Sequence, residues 1–234
     1  MDSGHPSRPP LLVTIDGPAG AGKTTVSRTL AQRLGYRYID TGALYRGIAL
    51  AVHQAEIEAD DDGGLGALCR QITLDFQIRG GDLRLMLNGK DVSDQIRSAH
   101  VTMLASAVSA RPVVRGFLLD IQRTLGSAKR AVFEGRDMGT VVFPDADVKF
   151  FLDADPGIRA RRRHEELQAK NGSCPSLDAV SQDMMKRDKN DSTRQAAPLK
   201  PADDALRIDS TAMSIDQVVG VMLEHIATCV CAAP

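Results

Sequence analysis

A glycine-rich turn carrying a lysine and two threonines, Gly17-Pro18-Ala19-Gly20-Ala21-Gly22-Lys23-Thr24-Thr25, holds the most specific chemistry in this chain. It fits the spacing G-x-x-x-x-G-K-[ST], in which glycines let the backbone wrap an anion while successive N–H groups point at it. Lys23 supplies a mobile positive charge for terminal phosphates, and the Thr24 hydroxyl suits Mg²⁺. An apolar, β-branched run from Leu11 to Ile15 leads into the turn. Val26, Leu30 and Leu34 then recur every four residues, with Gly35 as a stop signal. Strand, loop and helix in that order predict a nucleoside triphosphate site at the positive end of a helix.

The arginines indicate where the phosphate goes. Glu134-Gly135-Arg136-Asp137 closes one apolar run, and Asp40-Thr41-Gly42-Ala43-Leu44-Tyr45-Arg46 closes another and opens a helical pattern. Arg187, Asp191 and Arg194 fall at i, i+4 and i+7, one face of a helix if it persists that far. Arg159, Arg162 and Arg163 share one side of a helix beginning at Asp155-Pro156. Taken alone, that last group reads as a solvated face, and Arg136 with Asp137 as a local pair. Together the arginines offer more phosphate clamps than one nucleotide requires. Guanidinium forks suit a second phosphorylated ligand and the group in flight. A monophosphate acceptor, with a second pKa of ~6, is largely ionised at neutral pH and needs no general base. Accordingly His5, His53, His100, His164 and His225 share no motif. Positioning and charge stabilisation would carry the reaction.

Positioning of that kind requires a sheet. The runs Arg37–Asp40, Ala131–Arg136, Val148–Ala154 and Leu206–Ser210 read as further buried parallel strands, each ending in polar residues at the ligand edge. Residues 113–125 place Val114, Phe117, Leu118, Ile121 and Leu125 on one helical face behind Pro112. A capping box from Ser214 to Gln217 opens a last helix bearing Ile215, Val218, Val219, Met222 and Ile226. One segment alternates instead: Ile72, Leu74, Phe76 and Ile78, a Gly80-Gly81 turn, then Leu83, Leu85 and Leu87. This is a β-hairpin within an inserted piece, introduced by an acidic loop from Asp60 to Gly64.

Composition narrows the class. The chain has 234 residues, 43% hydrophobic and 25% charged, with a net charge of −1. It lacks the basic excess of a nucleic-acid or membrane-surface binder and any apolar run of membrane-spanning length. Met1 to Pro10 has no apolar signal core and reads as a loose tail. Cys69, Cys174, Cys229 and Cys231 lack metal-ligand spacing and read as reduced thiols of a cytoplasmic protein.

The segments TIDGPAGAGKTT, IDTGALYR, Glu134 to Ala146, KRDKNDSTR and APLKPADDALRIDST, in this order, resemble the bacterial cytidylate kinases from about Leu11 to about Ile226. The resemblance implies an α/β P-loop kinase with a central parallel sheet flanked by helices. Its core would comprise residues 11–59, 96–155 and 195–234, with a tail at 1–10. The insert at 60–95 would be a hairpin-containing monophosphate-binding subdomain, and 156–194 the helical lid and following helix. The implied reaction moves the γ-phosphate of Mg²⁺-ATP to CMP or dCMP in a cytoplasmic monomer without nucleic-acid or membrane partners. Gly17 to Thr25 and Arg162 would hold ATP, with Thr24 on the metal. Lys23, Arg136, Arg159 and Arg163 would act in transfer. Arg46, Arg136 and Arg194 would grip the CMP phosphate, with Thr41 beside them. Ser106, Arg115 and Asp137 would read cytosine, and Arg187 with Asp191 would hold the ribose. Arg161 has no counterpart in the pattern. The residues alone also admit a UMP or AMP kinase, a kinase of alcohols using Asp40 as base, or a P-loop switch protein.

Overall fold

The central strands form where β-branched and aromatic runs are buried on both faces, the hairpin where apolar residues alternate, and the helices where they recur every three or four positions. A computed structural model describes residues 10–80, 82–171 and 175–232; Gly81, Cys174 and all but the last residue of the expected tail lie outside them. The first elements are β1 (Leu12–Asp16), α1 (Lys23–Leu34), β2 (Arg37–Asp40), α2 (Thr41–Gln54) and α3 (Asp62–Gln71). There follow β3 (Leu74–Arg79), β4 (Asp82–Leu87), β5 (Lys90–Asp91), α4 (Ala99–Val108), α5 (Pro112–Gly126) and β6 (Ala131–Gly135). The chain continues through β7 (Val148–Asp153), α6 (Pro156–Asn171), α7 (Leu177–Thr193), β8 (Leu206–Asp209) and α8 (Ile215–Ala232).

These elements divide into two compact units. The first takes residues up to 39, 126–186 and from 199 onward; the second takes 40–125 and 187–198.

The first unit is built on a five-stranded sheet in the order β2-β6-β1-β7-β8. β1 pairs in parallel with β6 and β7, and β7 with β8. Every residue of β1 and β6 is buried, as a parallel sheet covered on both faces requires. Val26 and Leu30 of α1 and Val218, Val219 and Met222 of α8 pack with Val13, Ile15, Phe150 and Leu152. The expected capping box closes α8: the Ser214 N–H donates to Gln217 Oε1 (2.8 Å) and the Gln217 N–H to Ser214 Oγ (3.2 Å). Strands β6, β7 and β8 each stop one residue short of the sequence expectation. After β6 the chain turns through a π-helical segment, Met138–Val142, a rare geometry with no hydrophobic signature to announce it.

In the second unit the alternating segment forms the expected hairpin, with Leu74 opposite Leu87, Phe76 opposite Leu85 and Ile78 opposite Leu83. Leu74, Leu85 and Leu87 are buried against α2, α4 and α5 residues such as Ile48, Val101 and Leu118, whereas Ile78 near the hairpin tip is exposed. The segment read as an acidic loop is in part a helix. The Asp61 carboxylate accepts the Gly64 N–H (2.9 Å), so Asp62, Gly63 and Gly64 form the first turn of α3 and Leu65 and Cys69 are buried on one face. Capping by aspartate overrides the glycine pair. The short helix α4 was not foreseen; Ser98 caps it and Val101, Ala105 and Val108 bury its inner face.

Candidate active site

Helix α1 differs from its neighbours in how it starts. Asp40, Asp61, Ser98, Asp155, Ser176 and Ser214 cap α2, α3, α4, α6, α7 and α8 with side-chain oxygens. Helix α1 has Gly22 at its N-cap, left-handed at φ 90°, with no side-chain cap and no acidic residue in its first turn. No capping side chain therefore competes with an external anion for the N-terminus and positive dipole end of α1. Lys23 is 5% exposed and donates from Nζ to the Pro18 carbonyl (2.7 Å), folded back over the loop that it would serve.

Register places a carboxylate beside this loop. Glu134 is opposite Ile15 at the end of β6, and its Oε1 accepts from the Thr24 hydroxyl at 2.9 Å while Oε2 accepts from the Tyr38 hydroxyl at 2.9 Å. A hydroxyl and a carboxylate at the mouth of a phosphate loop are the hard oxygen donors that Mg²⁺ takes, directly or through water. Sequence reasoning gave Thr24 this role and passed over Glu134. The available signal was an acid closing the apolar run Ala131–Phe133, which adjacency of β6 to β1 brings to the loop.

Asp16, the last residue of β1, was also passed over. Its two oxygens accept the N–H groups of Met138 (2.9 Å) and Gly139 (2.7 Å), fastening the turn that follows Arg136 and Asp137. Burial pushes its carboxyl up to about 6, against those two N–H bonds, with the Asp137 charge adding to the rise. The folded state thus binds this proton more tightly than the unfolded chain. Stability from Asp16 is fully present below its unfolded pKa and is lost as pH rises to about 6. A shift of this size corresponds to ~3 kcal/mol. Wild type should gain stability relative to Asp16→Asn as pH is lowered from 7 to 4.5. Urea denaturation of both proteins at the two pH values checks this, and a constant difference would rule out the raised pKa.

Asp137 itself is 2% exposed, and the Arg136 Nη1 donates to the Gly135 carbonyl at 3.2 Å. Arg159 is 6% exposed and donates to the carbonyls of Ala154 (2.9 Å) and Ala19 (3.1 Å), so it braces the phosphate loop. Arg162 donates to the Ser210 hydroxyl (3.1 Å) and carbonyl (2.8 Å). Arg163 pairs with Glu166 one turn on (2.8 Å). Met184 of α7, Ala160 of α6 and Val180 pack with Ala19 of the loop.

The other expected residues belong to the second unit. Thr41 is buried in the first turn of α2, and Arg46 donates to Asp40 at 2.6 Å. Burial raises the Asp40 carboxyl, but the adjacent Arg46 and the Ala43 N–H more than offset this and hold it below the usual carboxylate range. Arg115 lies 5.6 Å over the Tyr45 ring and donates to the Ser109 carbonyl (3.2 Å); the Ser109 hydroxyl in turn donates to the Ser106 carbonyl (2.9 Å). Ser106 Oγ is buried without a hydrogen-bond partner among the described residues, a state that a polar ligand would relieve. Arg187 and Asp191 lie on α7; Arg194 follows its last residue, 3.9 Å from Asp191 and donating to the Ala197 carbonyl (2.7 Å). Among the described residues no group of three or more His, Cys, Asp or Glu could hold a metal, and no helix is long and apolar enough to cross a membrane.

Residues 13–228 match the family described as cytidylate kinase. The chain is similar to the cytidylate kinases of Citrifermentans bemidjiense (48% identity) and Geobacter sulfurreducens (50%), each over 91% of both chains. It is 44% identical to that of Pasteurella multocida over 92% of this chain and 95% of the other.

Proposed function

The chain belongs to the cytidylate kinase family and phosphorylates CMP at the expense of ATP, and we propose that its two units divide the work, ATP on the first and most of the CMP contacts on the second. The observation that carries the first half is the open N-terminus of α1 beneath a glycine loop with Lys23 at its start. Lys23 would exchange the Pro18 carbonyl for a phosphate oxygen, meeting charge as it develops. Thr24 and Glu134 would hold Mg²⁺, which supplies charge neutralisation on the phosphates. Arg159 would hold the loop in shape through the Ala19 carbonyl, and Arg162 would tie α6 to Ser210, whose hydroxyl also donates to the Ala21 carbonyl (3.1 Å).

For the acceptor we assign Arg46, Arg136 and Arg194 to the phosphate, Thr41 beside it, Arg187 and Asp191 to the ribose, and Ser106, Arg115 and Asp137 to cytosine. The Ser106 hydroxyl, buried without a hydrogen-bond partner among the described residues, supports the base assignment. Asp40 is a poor base for an alcohol acceptor, because its pairing with Arg46 lowers the proton affinity of its carboxylate. A CMP phosphate, already ionised, needs none. We further assign dCMP as a second substrate, the cytoplasm as location and a monomeric state.

ADP release measured with CMP, dCMP, UMP and AMP tests the acceptor class; turnover with CMP and dCMP well above UMP and AMP is expected. Cytosine presents an N4 amino donor where uracil presents an O4 acceptor, so a carboxylate favours CMP. Asp137→Asn should narrow the CMP-to-UMP ratio of kcat/KM by ~5- to 150-fold, since an amide can offer its NH₂ to O4. An equal loss on both substrates would make Asp137 a support for its neighbours instead.

A further inference from the structure

Tyr38 stands outside the phosphate loop in sequence, yet its hydroxyl takes one of the two oxygens of the carboxylate that meets Thr24. Its strand, β2, is an edge of the sheet next to β6, and the phenol reaches across to Glu134 Oε2 at 2.9 Å while Thr24 takes Oε1 at 2.9 Å. The ring is fixed from its own side: the Arg28 guanidinium carbon of α1 lies 5.2 Å from its centroid. Glu134 is 8% exposed, and a glutamate has three side-chain torsions to order before it can serve a cation. An O–H donated to one oxygen removes most of that freedom and leaves the other oxygen toward the loop.

We propose that Tyr38 is a positioning residue for the reaction, orienting the Glu134 carboxylate so that it receives the divalent cation accompanying ATP. This rests on the reading of Thr24 and Glu134 as the metal-holding pair. Thr24 and Glu134 would hold the cation between them, and the Tyr38 hydroxyl would keep the carboxylate turned by its hold on Oε2. Loss of an outer hydrogen-bond partner of a metal ligand typically weakens metal affinity or activity by ~10- to 100-fold.

The test is Tyr38→Phe, which keeps the ring and its arginine contact and deletes only the hydroxyl. Mn²⁺ binding to the complex of full-length enzyme with a non-hydrolysable ATP analogue, followed by electron paramagnetic resonance, is compared for wild type, Tyr38→Phe and Glu134→Gln. Affinity for the analogue without metal and the melting temperature are measured alongside. The proposal expects Mn²⁺ affinity about tenfold weaker in Tyr38→Phe, with metal-free analogue affinity and melting temperature held and a matching rise in the Mg²⁺ needed for half-maximal turnover. Mn²⁺ affinity within about twofold of wild type in Tyr38→Phe, with a loss in Glu134→Gln, overturns the role of Tyr38 and leaves Glu134 at the metal. No loss in either variant overturns the metal-holding pair itself. Equal losses of metal-free analogue affinity and of melting temperature would reduce Tyr38 to packing and overturn the proposal as well.

Discussion

Lys23→Ala is expected to lose ~10²–10³-fold in kcat while keeping its fold, the usual cost of removing one preorganised electrostatic contact to developing charge. The side chain is nearly fully buried and donates to the Pro18 carbonyl of the same loop. Deleting it leaves that carbonyl to water or to the loop's own N–H groups, a cost of ~1–3 kcal/mol that a chain of this size absorbs. The ATP phosphates would still meet the α1 N-terminus, so ATP affinity should suffer less than turnover. Steady-state kinetics with circular dichroism checks this. A native spectrum with kcat reduced less than tenfold would remove Lys23 from the role.

How far the sequence reveals this site depends on what each residue's job leaves in the local pattern. The phosphate loop is legible because its function demands backbone conformations that few residue types adopt, so glycine spacing records the geometry. The hairpin is legible because Leu74, Phe76 and Ile78 must alternate to face one side. Glu134, Tyr38 and Asp16 leave no such trace. Each is an ordinary polar residue in or at the end of a strand, and its meaning comes from the segment, distant in sequence, that the fold sets beside it. Glu134 meets Thr24 because β6 lies beside β1, although 110 residues separate them. Asp16 meets Met138 and Gly139 across 122 and 123 residues. Local reading also missed what holds the arginines. Arg159 and Arg162 share a basic helical face, yet both guanidinium groups are turned onto backbone carbonyls at the phosphate loop and after β8. The spacing shows that they share a face; only packing shows what that face touches.

Gly17→Ala should be the most damaging single-methyl change in the chain's first strand–loop junction. Gly17 has φ +148°, outside the range that L side chains readily adopt, and a Cβ built there falls 1.9 Å from the Leu152 carbonyl oxygen. That oxygen cannot move aside. Leu152 is fully buried within β7, which is laddered to β1 on one side and to β8 on the other, where Leu152 lies opposite Ile208. Relief must come from displacing the loop, which pulls Lys23 and the start of α1 off the sheet's edge. Steric overlap with fixed backbone and a disfavoured φ belong to the class of substitutions costing ~4 kcal/mol or more. For a chain of this length that lowers Tm by roughly 8–16 °C, and the displaced loop should no longer bind an ATP analogue. Gly63→Ala is the matched control. Its added Cβ meets nothing nearer than Asp61 Oδ1 at 3.4 Å, at an exposed position in the first turn of α3. Alanine's better helix propensity should make it neutral or stabilising by up to ~1 kcal/mol. Thermal melts and calorimetric titration with the analogue distinguish the two. A Gly17→Ala protein that melts with wild type and binds the analogue normally would mean that the loop has a second, equally good path past Leu152.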